Sequence, residues 1–337
     1  MESKRYLSPI ESFHEELMGS LNIPKVYSKR ILSNDVCGKV FDYQKNHILK
    51  LIRSLLKNSI AIDNSDTGTG KTYSSIAICV ELGKRPIIVC PKTLVFTWLD
   101  VCEKFGVKPY DIVNYETIRN GKTYKDASFI ERIDSPFIDI TEDEDNFGLR
   151  TTYEWTVPKD AILIFDEAHR CKSPSTDNGR ILMSTRQLIK QGIPILLASA
   201  SICEKYIDVK IIFYLLGLIS DIRKFNRHIK MLMYKYPAFK IVKDDYLDAD
   251  EYIIAKENAI SMIINEELKD YTARVRIKDL GNKFPSNQWF AQQFYADSSD
   301  KIAKAYEEIA IHLQGLKDKQ NDKESPHLAA MCNSLVV

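Results

Sequence analysis

The stretch Ser65-Asp66-Thr67-Gly68-Thr69-Gly70-Lys71-Thr72 constrains this chain more than any other. It follows the short apolar run Ser59–Asn64, which reads as a buried strand, and precedes a helical pattern over Thr72–Leu82. A strand, a glycine-rich turn and a helix in that order build a cradle for an anion. Glycines let the backbone curl so that successive N–H groups point inward. The positive end of the following helix adds to the attraction. Lys71 brings an ammonium that can reach phosphate oxygens, and Thr72 a hydroxyl able to hold Mg2+. The candidate nucleotide-binding residues are therefore Thr67, Gly68, Thr69, Gly70, Lys71 and Thr72. The general phosphate-loop pattern has glycine at position 65, where this chain has Ser65. A glycine turn that merely caps a helix is the bland alternative, and the Lys-Thr pair after a strand argues against it.

A second motif supports the first. Asp166-Glu167-Ala168-His169 follows the apolar run Ala161–Phe165 at once. Carboxylates at the carboxyl end of a parallel strand face the crevice where such sheets bind ligands. Asp166 is placed to hold Mg2+ through water, and Glu167 to polarise an attacking water. Phosphoryl transfer needs little beyond such positioning and charge neutralisation. Alone, an Asp-Glu pair after a strand could equally cap a helix. His169 is read as a structural or coupling residue rather than a metal ligand.

Further apolar runs at Pro86–Cys90, Asp111–Asn114 and Ile193–Ala198 alternate with helical patterns at Asp42–Lys57 and Lys92–Phe105. Such alternation predicts an α/β fold, a parallel sheet with helices on both faces. Arg119–Lys159 interrupts it, with the acidic run Glu142–Asp145 and the aromatic pair Tyr153 and Trp155; it reads as an inserted hairpin or loop. Cys203–Tyr236 and Glu251–Tyr271 read as helical, and Lys301–Leu316 as a final helix.

Composition excludes some classes. The 47 basic residues against 46 acidic ones rule out a uniformly basic coat but allow a local basic groove. The seven cysteines include no closely spaced pair, so they read as free thiols of a reducing intracellular compartment rather than zinc ligands. The polar N-terminus is unlike a signal peptide, and no apolar stretch reaches the roughly 20 residues that span a bilayer, so no membrane partner is expected. The abundance of Lys, Ile and Asn suggests an AT-rich genome such as a virus carries.

The motifs, in order, resemble the first motor domain of superfamily 2 helicases, and among them the SNF2-like branch. Phe41-Asp42-Tyr43-Gln44 is similar to the upstream motif whose glutamine reads adenine. Asp66–Thr72 is similar to motif I, Ile88–Leu94 with the later Trp98 to motif Ia, and Asn114–Thr117 to motif Ib. Asp166–Pro174 resembles the SNF2 form of motif II. Ser199-Ala200-Ser201 resembles motif III, nearer to the Ser-Ala-Thr of other superfamily 2 branches than to the usual SNF2 form. Arg274–Leu280, then Phe284-Pro285, resembles the SNF2 segment after the helical insertion.

The resemblance implies a RecA-like P-loop NTPase with a helical insertion, using ATP and Mg2+. It implies that Gln44 selects adenine, that Lys71, Asp166 and Glu167 carry the chemistry, and that His169, Ser199 and Ser201 couple it to movement. Lys92, Thr93 and Thr117 would touch the nucleic-acid backbone, with duplex DNA favoured over RNA. Residues 1–35 would be an N-terminal extension, 36–202 the core with its insert near 119–159, 203–290 the helical insertion and return, and 291–337 a helix and linker. The family's second RecA-like lobe, with its arginine finger, has no counterpart among these motifs. A second lobe, in a longer chain or a partner, is therefore expected, and weak turnover without it. An RNA helicase of a DEAH/DEAD-like branch and a non-motor nucleotide-binding module are the alternatives.

Overall fold

The computed structural model describes residues 31–145, 148–202, 205–236 and 248–281, with a few helical positions between 301 and 311. The chain divides into two compact units, Met1–Phe284 and Pro285–Val337. Most of the expected N-terminal extension, Phe284-Pro285, Cys203, Cys332 and most of the Lys301–Leu316 helix lie outside the described residues.

The first unit opens with α1 (Asn34–Lys39) and α2 (Asp42–Asn58). Ile48, Leu51, Ile52 and Leu55 recur at helical spacing on α2, and all four are buried. Ser59 ends the helix in the left-handed region, φ 56°, and its N–H donates to the Leu55 carbonyl at 2.9 Å. Then come β1 (Ile60–Asp63), α3 (Lys71–Leu82), β2 (Arg85–Cys90), α4 (Val95–Phe105) and β3 (Asp111–Asn114). The helix expected from Lys92 begins instead with a 3-10 turn, Lys92–Leu94.

After the short α5 (Tyr115–Ile118), the insert resolves into two antiparallel hairpins. One is β4 (Lys122–Tyr124) with β5 (Arg132–Asp134), the other β6 (Ile138–Asp145) with β7 (Gly148–Trp155). The second is rooted in the core, because Ile138, Tyr153 and Trp155 are buried and the Trp155 indole N–H donates to the Ile181 carbonyl at 3.2 Å.

The chain returns through β8 (Ala161–Asp166), α6 (Asp177–Ser184), α7 (Arg186–Lys190) and β9 (Ile195–Ala198). The helical segment contains α8 (Lys210–Leu215), α9 (Phe225–Lys235) and α10 (Ala249–Leu268). Two residues, β10 (Thr272–Ala273), then rejoin the sheet before α11 (Ile277–Leu280).

The sheet runs β10-β1-β9-β8-β2-β3, every neighbouring pair parallel. Successive strand residues face opposite layers. Ile60, Ile62, Leu163, Phe165, Ile195 and Leu197 pack toward the helical segment. Ala61, Ile88, Ile162, Ile164 and Leu196 pack toward α2, α3 and α4. Burial on both faces explains why these strands read as unbroken apolar runs. Among the described residues no helix is long and apolar enough to cross a membrane.

Candidate nucleotide site and adjoining cleft

All strands being parallel, their carboxyl ends converge on one edge of the sheet. The phosphate loop leaves β1 there. Gly68 and Gly70 take left-handed backbone, φ 84° and 85°, and Gly70 caps α3. A Cβ on Gly70 would lie 2.5 Å from Gln44 Nε2, so the curl is open to glycine alone. The Lys71 ammonium donates to the carbonyls of Ser65 (3.1 Å) and Asp66 (3.3 Å), across the mouth of the loop.

Gln44 does not present its amide outward. It is 2 % exposed. Its Nε2 approaches the carbonyls of Thr69 and Gly70, each at 3.1 Å, and Ser74 Oγ at 3.3 Å. Its Oε1 accepts the Phe41 N–H at 2.9 Å. In this arrangement Gln44 fixes the shape of the loop. The surface next to the loop is aromatic: Phe41, 68 % exposed, stacks on Tyr43 at 5.6 Å, and the Tyr43 hydroxyl donates to the Thr69 carbonyl at 3.3 Å.

Ser65, where the general motif has glycine, uses its side chain. Its Oγ accepts the Val275 N–H at 3.0 Å. The next residue continues the clasp: Asp66 N–H donates to the Val275 carbonyl, and its carboxylate accepts from Ile277 N–H (3.0 Å) and Arg274 (3.2 Å). The backbone bond from Ile277, helped by Arg274, holds the Asp66 carboxyl below its ordinary range. The returning segment is thus tied directly to the phosphate loop, a link between residues more than 200 positions apart.

Asp166 ends β8 and is buried. Desolvation raises its carboxyl, against which the Trp98 indole N–H pulls at 2.8 Å to Oδ2. The nearby Glu167 charge raises it further, while the Glu167 N–H on Oδ1 (3.0 Å) and the Lys71 charge lower it. The buried Tyr115 hydroxyl donates to the Asp166 carbonyl at 2.7 Å. Glu167 has φ 50°, left-handed backbone rare for a residue with a side chain. Such strain persists where the surroundings over-determine it. His169 Nδ1 lies 3.1 Å from Glu167 Oε2 and 3.0 Å from Ser199 Oγ. Ser199 also accepts the Ser201 N–H at 3.3 Å, so Ser201 joins through its backbone.

An ammonium, a hydroxyl on Thr72, two carboxylates and a glycine-curled loop form a donor set suited to a polyphosphate and a hard divalent cation. Lys71 and the loop would hold the phosphates, and Thr72 with Asp166 the Mg2+, which would supply neutralisation of phosphate charge. Glu167, tethered to His169, is the group that can orient a water.

A second feature lies further along the same edge. An open cleft of about 390 Å³ at the ends of β2 and β3 is lined by Lys92, Thr93, Asn114, Glu116, Arg132 and Arg170. Lys92 and Thr93 are exposed in it. Thr117 is not. It is 0 % exposed, and its Oγ1 donates to Asn114 Oδ1 at 2.6 Å. Its hydroxyl organises the cleft wall from within. Arg132 had no part in the motif reading, and Arg170 entered it only as a trailing residue of motif II.

A six-stranded parallel sheet with a glycine loop after β1 and an Asp-Glu pair after β8 defines a RecA-like P-loop NTPase fold. Residues 38–200 match the model of the family described as "Type III restriction enzyme, res subunit". The chain is 53% identical over 319 residues to a protein of Acanthamoeba polyphaga mimivirus named "Putative ATP-dependent RNA helicase". That alignment covers 94% of this chain and 59% of the mimivirus protein, so the chain spans less than two thirds of its relative's length. Among solved structures, the "Sulfolobus solfataricus SWI2/SNF2 ATPase core in complex with dsDNA" is similar with a TM-score of 0.42 and 16% identity. It covers 73% of this chain and 45% of that one, and a likeness of that size carries no argument about function.

Proposed function

We propose that this chain is the first lobe of an ATP-driven nucleic-acid motor, binding Mg-ATP at the phosphate loop and a nucleic-acid strand in the cleft beyond β2 and β3. The observation that carries the reading is the His169 bridge. One imidazole nitrogen reaches both the carboxylate placed to orient water and the Ser199 hydroxyl of the motif III segment. A site that only stored nucleotide would have no use for such a link. A second lobe closes the site from the open side of the loop and supplies a transition-state cation.

The form of motif II favours a duplex-tracking, SNF2-like motor on DNA. A second reading, an RNA motor, is favoured by the name of the mimivirus relative and by the Ser-Ala-Ser form of motif III. Binding of Mg-ATP and of labelled duplex DNA, single-stranded DNA and RNA, measured side by side, separates these readings. Mg-ATP binding is expected, and its loss in Lys71→Ala. Nucleotide binding without affinity for any nucleic acid would overturn the motor in favour of a non-motor module.

A further inference from the structure

We infer that Arg132, carried by the inserted hairpin β4–β5, is a phosphate contact of the nucleic-acid strand, with Phe96, which packs on Phe129 of the same hairpin, as an apolar support for a sugar or base. The inference rests on the proposed function and adds to it a binding element outside the motifs.

The hairpin is bolted to the core rather than loose. Thr123 Oγ1 donates to Asp111 at 2.6 Å, and the buried Tyr124 hydroxyl donates to Asn114 Oδ1 at 2.7 Å. Asn114 thus joins the insert to Thr117 and Glu116 of the cleft wall. Tyr124 pairs with Arg132 across the two strands. The side chain of Arg132 therefore stands on a fixed frame.

Charge singles it out. Both lysines of the hairpin are neutralised, Lys122 by Asp134 at 2.6 Å and Lys125 by Glu131 at 2.7 Å. Among the described residues neither Arg132 nor Lys92 has an ion-pair partner, and both are exposed in the cleft. The cleft's one carboxylate, Glu116, faces Arg170 at 3.7 Å. Lys92 and Arg132 are left as an uncompensated cation pair, which phosphates satisfy without sequence reading.

The flanking surface is aromatic and apolar. Phe96, one turn beyond Lys92, is 57 % exposed, although its edge meets Phe129 of the hairpin at 5.2 Å. Ile130 at the hairpin tip is 82 % exposed. Basic groups next to an exposed ring suit a strand whose phosphates track the cations while a base rests on the π face. An acidic protein segment would use the cations but not the ring.

The test is fluorescence anisotropy of labelled oligonucleotides with the whole chain across a salt series. Arg132→Ala should weaken binding by roughly fivefold to tenfold and reduce the salt slope by about one. Arg132→Lys should recover most of the affinity, and Phe96→Ala should weaken binding with the salt slope kept. Thermal melts verify that each variant is folded. Wild-type affinity and slope in Arg132→Ala would overturn the inference and leave the motor reading standing. Equal affinity of the wild type for polyglutamate would also overturn it, since the site would then be a general anion patch. Failure of the wild type to bind any oligonucleotide would overturn the proposed function itself.

Discussion

The Trp98 indole N–H donates to Asp166 Oδ2 at 2.8 Å, from α4 to the end of β8. Both groups are buried. A buried carboxylate is costly to keep ionised unless donors face it, and Trp98 is the strongest influence holding this one down. Trp98→Phe keeps most of the ring packing and removes the donor. Loss of a hydrogen bond to a buried charged group costs about 1–3 kcal/mol. The Asp166 carboxyl then rises further, so its ionised form is lost at higher pH as the solution is acidified. In the proposed motor, the acid limb of the pH–rate profile for ATP turnover should move upward in pH. An unmoved limb would mean that Asp166 is not the group titrating there.

His169 bridges Glu167 and Ser199, so the two partners should not act independently. In the proposed motor, His169→Ala and Ser199→Ala are each expected to lower ATP turnover by about tenfold, and the double variant little more than the worse single one. Additive losses in this cycle would show that the bridge carries no coupling.

The glycines separate backbone freedom from close approach. Gly83 is left-handed, φ 59°, with open space around it, so Gly83→Ala should cost only about 1 kcal/mol. Gly70→Ala combines the same strain with a clash on Gln44, so loss of nucleotide binding should accompany its loss of stability. Gly179 is the severe case: a Cβ there would lie 1.9 Å from the Ser173 carbonyl oxygen. Neither atom belongs to a flexible side chain, and Gly179→Ala should destabilise by about 3 kcal/mol or more. Urea midpoints should fall in the order Gly83, Gly70, Gly179.

Asp111 makes stability depend on pH. Burial lifts its carboxyl to about 6, despite the Thr123 hydrogen bond that lowers it. The folded state thus holds this proton more tightly than the unfolded chain. The contribution is fully present below about pH 4, the unfolded value, and is lost as pH rises through about 6. Asp111→Asn removes the penalty of ionisation and should stabilise the fold by about 1–3 kcal/mol at pH 7.5, but not at pH 4. A uniform effect at both pH values, read from urea unfolding, would refute the assignment.

What was legible in the sequence was the set of features written in consecutive residues. The strand, glycine loop and helix around Gly68–Lys71, the apolar β8 ending in Asp166, and the parallel α/β class all follow from short-range pattern. Pairings between distant segments left no such trace. Trp98 and Asp166 are 68 positions apart, and nothing local in either marks the other. β10 is two residues long, too short for any period, and it joins the sheet because the backbone groups of β1 need partners on that edge. Thr117 and Gln44 show a different limit. A hydroxyl or an amide facing inward has the same letter as one facing a ligand, and only burial tells them apart. Arg132 was hidden because its hairpin was read only as an insertion.

Asp166 and Arg170 belong to one short stretch, β8 running into the 3-10 turn Ala168–Cys171, whose last residue is fully buried. One end of that stretch faces the phosphate loop and the other the cleft. In the proposed motor, this makes the gearing between fuel and track nearly rigid, with no slack in which a step could be absorbed. Inserting a single residue between His169 and Arg170 should act as a slipped clutch, leaving an engine that idles on ATP while its grip on the strand no longer keeps time with it.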